Sequence, residues 1–453
     1  MTECTRSALP FSSAKRRSVT AEFTGGSITS DAGVLLLREA DRQIGLLNAL
    51  DAAIPDPRHP AFVVHPQRTL LAQRVFGIAC GYEDLNDHQH LRDDPLWQAA
   101  TDHPGSDTAL SLASPPTLCR LENRVNRASL VRMAAVLVEQ FIASYATPPD
   151  HLTLDFDATD DLVHGEQEKR FFHGYYDGYC FLPLYVFCGS QLLVAYLRPA
   201  NIDASRHTGA ILKLLVTRLR QVWPHVGITI RGDGGFCRWR LMRWCDSNDI
   251  RYVLGLARNA VLARDAAPWL EQVATAHRLD GQSHRVFGTL SYRAKSWDRS
   301  RRVIVKAEHL RGADDGKSNP RFVVTNLAGD PATLYEQIYC QRGDMENRIK
   351  EQQLGLFADR TSCHDFVANQ FRVLLAAAAY VLVEHLRRTA LAGTDLAHAQ
   401  TETIRLRLFR LGALVQTSVR RIVVRLAGGY PWKDLFAHVA QRLQSPRFQL
   451  NSS

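Results

Sequence analysis

The chain has nine cysteines in 453 residues but no Cys-x-x-Cys pair. It therefore lacks the close ligand spacing of a structural zinc site, and Cys180/Cys188 and Cys237/Cys245 have no second half that would complete one. An odd, scattered set of thiols gives no disulfide framework either, so reduced and mostly buried cysteines of a cytosolic protein are expected. Long hydrophobic runs are missing: the longest, Val373 to Val383, covers 11 residues. That is too short to span a bilayer, and no membrane partner is expected. The N-terminus, Met-Thr-Glu-Cys-Thr-Arg, has no charged-then-apolar signal pattern. Internal repeats and long low-complexity segments are also absent, which argues against a solenoid or a disordered tail. Acidic residues are the minority, 46 against 55 Lys and Arg, leaving a formal net charge of +9.

What remains is an ordinary globular composition, 45% hydrophobic and 22% charged. The positive balance favours an anionic partner. Nucleic acid is the commonest, and the dominance of arginine suits bidentate phosphate contacts. A chain of this length is expected to form two to four structural units.

Residues 1–18 read as a basic, loosely ordered lead. Apolar residues recur at helical spacing over 30–50, where Ser30 or Asp31 could cap the helix. Pro55, Pro57 and Pro60 break the chain, and helices follow near 67–81, 119–124 and 130–145, so residues 1–150 read as a mainly helical domain. Character changes at Pro148-Pro149. The segment Leu152-Thr153-Leu154-Asp155-Phe156-Asp157 alternates, which puts Asp155 and Asp157 on one strand face. Strands at 181–188 and 191–197 are joined by a Gly189-Ser190 turn. A helix over 205–222, a strand at 227–231, a helix near 238–247 and a strand at 251–256 complete a mixed α/β core over 151–259. Strand-like segments at 286–292, 302–306 and 321–325, around a polar loop at 311–317, suggest a β-rich insertion over 260–326. The core resumes over 327–390 with a helix after Pro331 and a strongly apolar one over 368–388. In the C-terminal segment, 391–453, residues 404–408 and 421–426 alternate like strands, with arginines on one face.

Three carboxylates stand out: Asp157 on the first core strand, Asp233 in Arg231-Gly232-Asp233-Gly234-Gly235, and Glu346 in the charged helical stretch 339–350. Taken singly, an Asp at a strand end is commonly a turn or cap residue. Glu346 alone could be a solvated residue paired at i,i+4 with Arg342 or Lys350. Three carboxylates from distant segments are also what a two-metal phosphoryl-transfer site needs, because hard divalent cations take oxygen ligands.

The ordered set of short motifs decides between these readings. It comprises Ser30-Asp31-Ala32-Gly33, Gly81-Tyr82-Glu83-Asp84-Leu85-Asn86-Asp87-His88, Asp157-Ala158-Thr159-Asp160 and His173-Gly174-Tyr175-Tyr176. It continues with Leu197-Arg198-Pro199-Ala200-Asn201, Arg231 to Phe236, Gln341 to Glu351, and Asp359-Arg360-Thr361-Ser362-Cys363-His364. Along nearly its whole length the chain resembles the DDE transposases of bacterial insertion sequences, specifically the insertion-sequence 1380 family.

That resemblance implies an RNase H-like mixed-sheet catalytic core with a β-rich insertion between the second Asp and the Glu. It implies Asp157, Asp233 and Glu346 as catalytic residues and ligands of two Mg²⁺ ions, with Mn²⁺ as a substitute and the N-terminal helical domain as DNA-binding; Asp155 is the rival of Asp157 because it shares the strand face. The implied activity is cleavage and strand transfer at terminal inverted repeats. The implied partners are double-stranded DNA of transposon ends and target, and a second copy of the chain in a paired-end complex. A bacterial cytoplasmic, nucleoid-associated location follows. Tyr339 and Arg342 match the Tyr and Arg that accompany the Glu in related transposases; where those have Lys, this chain has Gln353, and Lys350, one turn after Glu346, is the candidate replacement. Arg342 and Lys350 would hold phosphate, and Tyr339 reads equally as a DNA contact or a structural residue. Trp239 and Trp244 could meet a splayed base or pack in the core. A nuclease or resolvase on the same core, and a non-catalytic DNA-binding derivative, are the rival functions.

Overall fold

The computed structural model describes residues 8–102, 111–311 and 320–445. Two compact units emerge, one from Met1–Glu122 with His385–Arg447 and one dominated by Asn123–Glu384. The N- and C-terminal parts of the chain thus share a unit.

The second unit is built on one eight-stranded mixed sheet. Its strands are β1 (His151–Ala158), β2 (Leu184–Cys188), β3 (Gln191–Tyr196), β4 (Gly227–Gly232), β5 (Ile250–Leu256), β6 (His284–Tyr292), β7 (Arg301–His309) and β8 (Arg321–Thr325). Their spatial order is β6-β7-β8-β5-β4-β1-β2-β3. β1, β4 and β5 run parallel to their neighbours in this group, and the remaining pairings are antiparallel. Antiparallel β2 and β3 need only the Gly189 turn, where φ is +58. The parallel pairs need crossovers, supplied by α1 (Thr208–Val222) and α2 (Trp239–Ser247).

Alternation along β1 sorts its side chains by face. Leu152, Leu154 and Phe156 enter a core shared with Leu212 and Leu215 of α1 and Met242 of α2. Each such burial contributes roughly 1.5–3 kcal/mol before entropy is counted. The opposite face carries Asp155 and Asp157. Farther along the sheet, that second layer is closed by Leu334 and Tyr335 against Val253, Ile304 and Val323.

Between 260 and 326 the three expected strands are present as β6, β7 and β8. The three strands extend the main sheet beyond β5, and two helices, Ala260–Asp265 and Ala267–Asp280, come before them. The longer helix fully buries only Val273, so it shows little apolar periodicity in the sequence. The expected polar loop at 311–317 lies, apart from Arg311, outside the described residues.

After Pro331 the chain is helical to Gly355, but not uniformly. Widened turns at Leu334–Tyr339 and Glu351–Gly355 flank a tight turn, Cys340–Arg342, and a regular helix, α3 (Gly343–Lys350). Such widened turns often mark functional positions. In α3, acids in the first turn and bases in the last match the helix dipole, while Met345 and Ile349 face inward. Next comes α4 (Phe366–Thr389), which is long and apolar enough to cross a membrane but has 83% of its most apolar window buried within the protein.

In the first unit, the helix expected over 30–50 is two, Val34–Ile44 and Leu46–Ala53, parted by Gly45 at φ 65. Neither Ser30 nor Asp31 caps it; Gly33 holds that position. Asp31 is instead a buried hub. It accepts hydrogen bonds from the Tyr82 hydroxyl at 2.6 Å and the Trp97 indole at 3.3 Å, and Arg410 lies 3.6 Å away. The lead is not loose from residue 9 on: Leu9–Ala14 and Arg17–Ala21 form an exposed hairpin. Residues 404–408 are helical rather than a strand, since adjacent Leu408 and Phe409 are both buried, which strand alternation does not allow. Arg421–Leu426 is a strand, paired with Ala413–Ser418, which in turn pairs with Ile28–Thr29.

Candidate active site

Register on the parallel strands determines the geometry. Gly232 of β4 lies opposite Phe156 of β1. The next residue of each chain, Asp233 and Asp157, therefore emerges side by side at the carboxyl ends of neighbouring strands, about 4.8 Å apart in backbone. Ligands of open α/β sheets collect at such strand ends. One layer lower, Arg231 lies opposite Asp155, and the two form a buried bidentate ion pair. Arg231 also donates to the Ile338 carbonyl, which ties the helical segment 334–339 to the sheet.

That tie positions α3. Arg342, just before α3, donates to Asp157 Oδ2 at 3.0 Å and to Glu346 Oε1 at 2.7 Å. One guanidinium thus spans two of the three carboxylates, and Asp233 also acts on it electrostatically. Burial pushes the Asp157 carboxyl up to about 7; Arg342 opposes the shift, while Asp233 and Glu346 add to it. Asp233 turns its own carboxylate to the Gly235 amide at 2.8 Å, which shapes the turn after β4. Its backbone crowds Gly255 of β5, where a Cβ would also lie 2.8 Å from the Tyr339 hydroxyl, so glycine is required for this close approach. Burial raises the Tyr339 phenol, and Arg342 hydrogen-bonds to it.

The structure thus brings Asp157, Asp233, Glu346, Arg342 and Tyr339 together. Asp155 points into the sheet layer and is occupied by Arg231. Lys350 is exposed and forms no ion pair among the described residues. Gln353 donates to the Asp160 carbonyl at 2.7 Å, pinning the helix to the chain leaving β1. Sequence reading missed Arg231 as an anchor, although it sits in the motif that carries Asp233. Trp239 and Trp244 are both half-buried against the α/β core.

Among the described residues no group of three or more His, Cys, Asp or Glu is close enough to hold a metal ion as it stands. The donor set still fits a hard divalent cation. All three candidate ligands are carboxylates, and Arg342 sits between two of them as a cationic stand-in.

Residues 11–447 match the family model of the transposase DDE domain, group 1. The chain belongs to this family. As a DDE transposase it is a DNA-cleaving and strand-transferring enzyme. No curated protein matches it. Among solved structures it is similar to a piggyBac transposase synaptic complex with hairpin DNA, with 11% identity over 93% of this chain and 83% of that one and a TM-score of 0.41.

Proposed function

We propose that this transposase binds the terminal inverted repeats of an insertion sequence of the 1380 family and cuts and joins DNA with divalent cations held by Asp157, Asp233 and Glu346. The observation that carries the reading is that Arg342 joins Asp157 to Glu346 of α3, while Asp233 follows the adjacent parallel strand beside Asp157. The strand order β3-β2-β1-β4-β5, with β2 antiparallel, supports an RNase H-like core. Bound Mg²⁺, or Mn²⁺ in its place, would activate a water or 3′-hydroxyl and stabilise the leaving oxygen.

The chain's own residues do the positioning. Asp155 and Arg231 hold β1, β4 and the segment 334–339 as one rigid support. Arg342 neutralises the crowded carboxylates in the form seen here, and it turns to a DNA phosphate when cations take that role. Exposed Lys350 contacts phosphate farther along the strand, and Tyr339 orients Arg342. The first unit, with its helices, reads the repeats, and two copies of the chain pair the ends.

The test is incubation of labelled transposon ends with Mg²⁺, comparing the wild type with Asp157→Asn, Asp233→Asn and Glu346→Gln. Cleaved and joined products from the wild type alone support the proposal. Cleavage without joining favours a nuclease, and binding without cleavage favours a non-catalytic derivative.

A further inference from the structure

Two hairpins of the first unit stand apart from its core. In the N-terminal one, Leu9–Ala14 paired with Arg17–Ala21, every strand residue is exposed. A two-stranded ribbon alone is only marginally stable in water, so this one gains from whatever lies against it. In the other, Ala413–Ser418 paired with Arg421–Leu426, Ala413 and Val415 are buried at the inner end. Beyond Val415, every residue up to Leu426 except Val424 is exposed.

The two hairpins share a root. Ile28–Thr29 pairs with Leu414 and Ala413. The Val415 amide donates to the Ser27 carbonyl at 2.8 Å, and a Cβ on Gly26 would lie 3.0 Å from Leu414 Cδ1. From Ala21 to Gly26 the chain can reach at most about 18 Å when fully extended. Strands of five or six residues carry each tip roughly 17–20 Å from its base.

Charge is concentrated toward the tips. Residues 9–21 hold Lys15, Arg16 and Arg17, residues 413–426 hold Arg420, Arg421 and Arg425, and neither segment has an acidic residue. None of these six cations forms an ion pair among the described residues; Arg425 donates only to Gln416 Oε1, at 3.0 Å. Arg38, Arg58, Arg68 and Arg74 of the same unit each have a carboxylate partner. The first turn holds Lys15 in the left-handed region at φ 58, where glycine or asparagine costs less, so a cation stands at that tip against backbone preference. The second turn is closed by the Ser418 hydroxyl, which donates to the Arg421 carbonyl at 3.1 Å.

Six unpaired cations on two ribbons complement a chain of phosphates. A two-stranded ribbon also fits the major groove of B-DNA, which is ~12 Å wide.

We propose that the two hairpins grip double-stranded DNA as a two-pronged arm, with Lys15, Arg16, Arg17, Arg420 and Arg421 on its phosphates. The inference deepens the reading of the first unit as the part that meets the transposon end, and rests on it. It assigns that contact to hairpins where the sequence pointed to helices.

The test is fluorescence anisotropy of the full chain in EDTA with a labelled mixed-sequence duplex, repeated across a range of salt concentrations. Each phosphate contact contributes ~0.9 to the slope of log affinity against log salt. Replacing Lys15, Arg16 and Arg17 together by Gln is expected to flatten that slope by about 2–3, and Arg420→Gln with Arg421→Gln by about 1–2. All five side chains are exposed, so the melting temperature should not move. The control removes three exposed cations of the second unit, Arg264→Gln, Arg278→Gln and Arg299→Gln, and should leave the slope near the wild-type value. An unchanged slope in both hairpin variants overturns the proposal, and so does an equal flattening in the control. A changed molar mass of the DNA-free chain by light scattering, at an unchanged slope, also overturns it and makes the hairpins a contact between copies. Salt-dependent wild-type binding that both variants match sinks the hairpins alone. A wild type whose duplex affinity does not fall with salt sinks the DNA-reading role of the first unit as well.

Discussion

Asp155 and Asp157 lie two residues apart on one face of β1, yet removing their charges is predicted to move stability in opposite directions. Burial holds the Asp157 carboxyl up at about 7 in the folded chain, against an ordinary 3.8. A folded-state pKa raised above the unfolded one contributes stability that is complete below the unfolded value and is lost as pH rises through the folded value. With ~1.4 kcal/mol per unit, the ionised carboxylate costs on the order of 4 kcal/mol at pH 8 without metal, an upper figure because some water contact remains. Asp157→Asn removes this cost, and Arg342 keeps Glu346 as a partner. A gain of roughly 2–4 kcal/mol at pH 8, fading toward pH 4, is expected.

Burial also raises the Asp155 carboxyl, against the opposing pull of Arg231. The difference lies in what each substitution leaves behind. Asp155→Asn strands the Arg231 guanidinium, whose side chain is 8% exposed, and a stranded buried charge costs about 3–5 kcal/mol. Thermal melts of both variants in EDTA at about pH 8 and pH 5 check the pair. Shifts of the same sign at pH 8 would refute this division of roles.

Three further outcomes follow. Mn²⁺ affinity of the wild type should rise from about pH 6 to pH 8, with up to one proton released per binding event, because cation and proton compete at Asp157; calorimetry in two buffers measures it. Gly33→Ala should lower the melting temperature sharply and unlock the first unit, since its Cβ would fall 2.0 Å from the Leu408 carbonyl oxygen. Gln353→Lys, able to keep the bond to Asp160, should retain cleavage within a few-fold of wild type, whereas Gln353→Ala should lose about 1 kcal/mol of stability.

The sheet of the second unit was legible where strand physics is local. Leu152 to Asp157 alternates, Gly189-Ser190 marks a hairpin, and β8 was read to the residue. The strand pairing was not legible: nothing in Arg321–Thr325 announces that it pairs with β5 and brings β6 and β7 into the same sheet. Residues 404–408 failed for a different reason. Ile-Arg-Leu-Arg-Leu alternates by accident, and burial of Leu408 with Phe409 overrides it. At the site, the carboxylates were visible as motifs, and the Asp-x-Thr pattern favoured Asp157 over Asp155, but the register that sets Arg231 opposite Asp155 could not be read from the sequence. Arg342 read as a phosphate ligand because sequence shows its spacing from Glu346 and not its reach to Asp157, 185 residues away.

In the proposed site Asp157, and not Asp155, holds a catalytic cation. The most direct measurement is end cleavage by Asp157→Cys and Asp155→Cys in Mg²⁺ and in thiophilic Mn²⁺. Asp157→Cys should be inactive in Mg²⁺ and recover in Mn²⁺, because a thiolate binds the softer ion better. Asp155→Cys should show no such metal-dependent recovery. Recovery in Mn²⁺ by Asp155→Cys alone would put the cation on Asp155 instead.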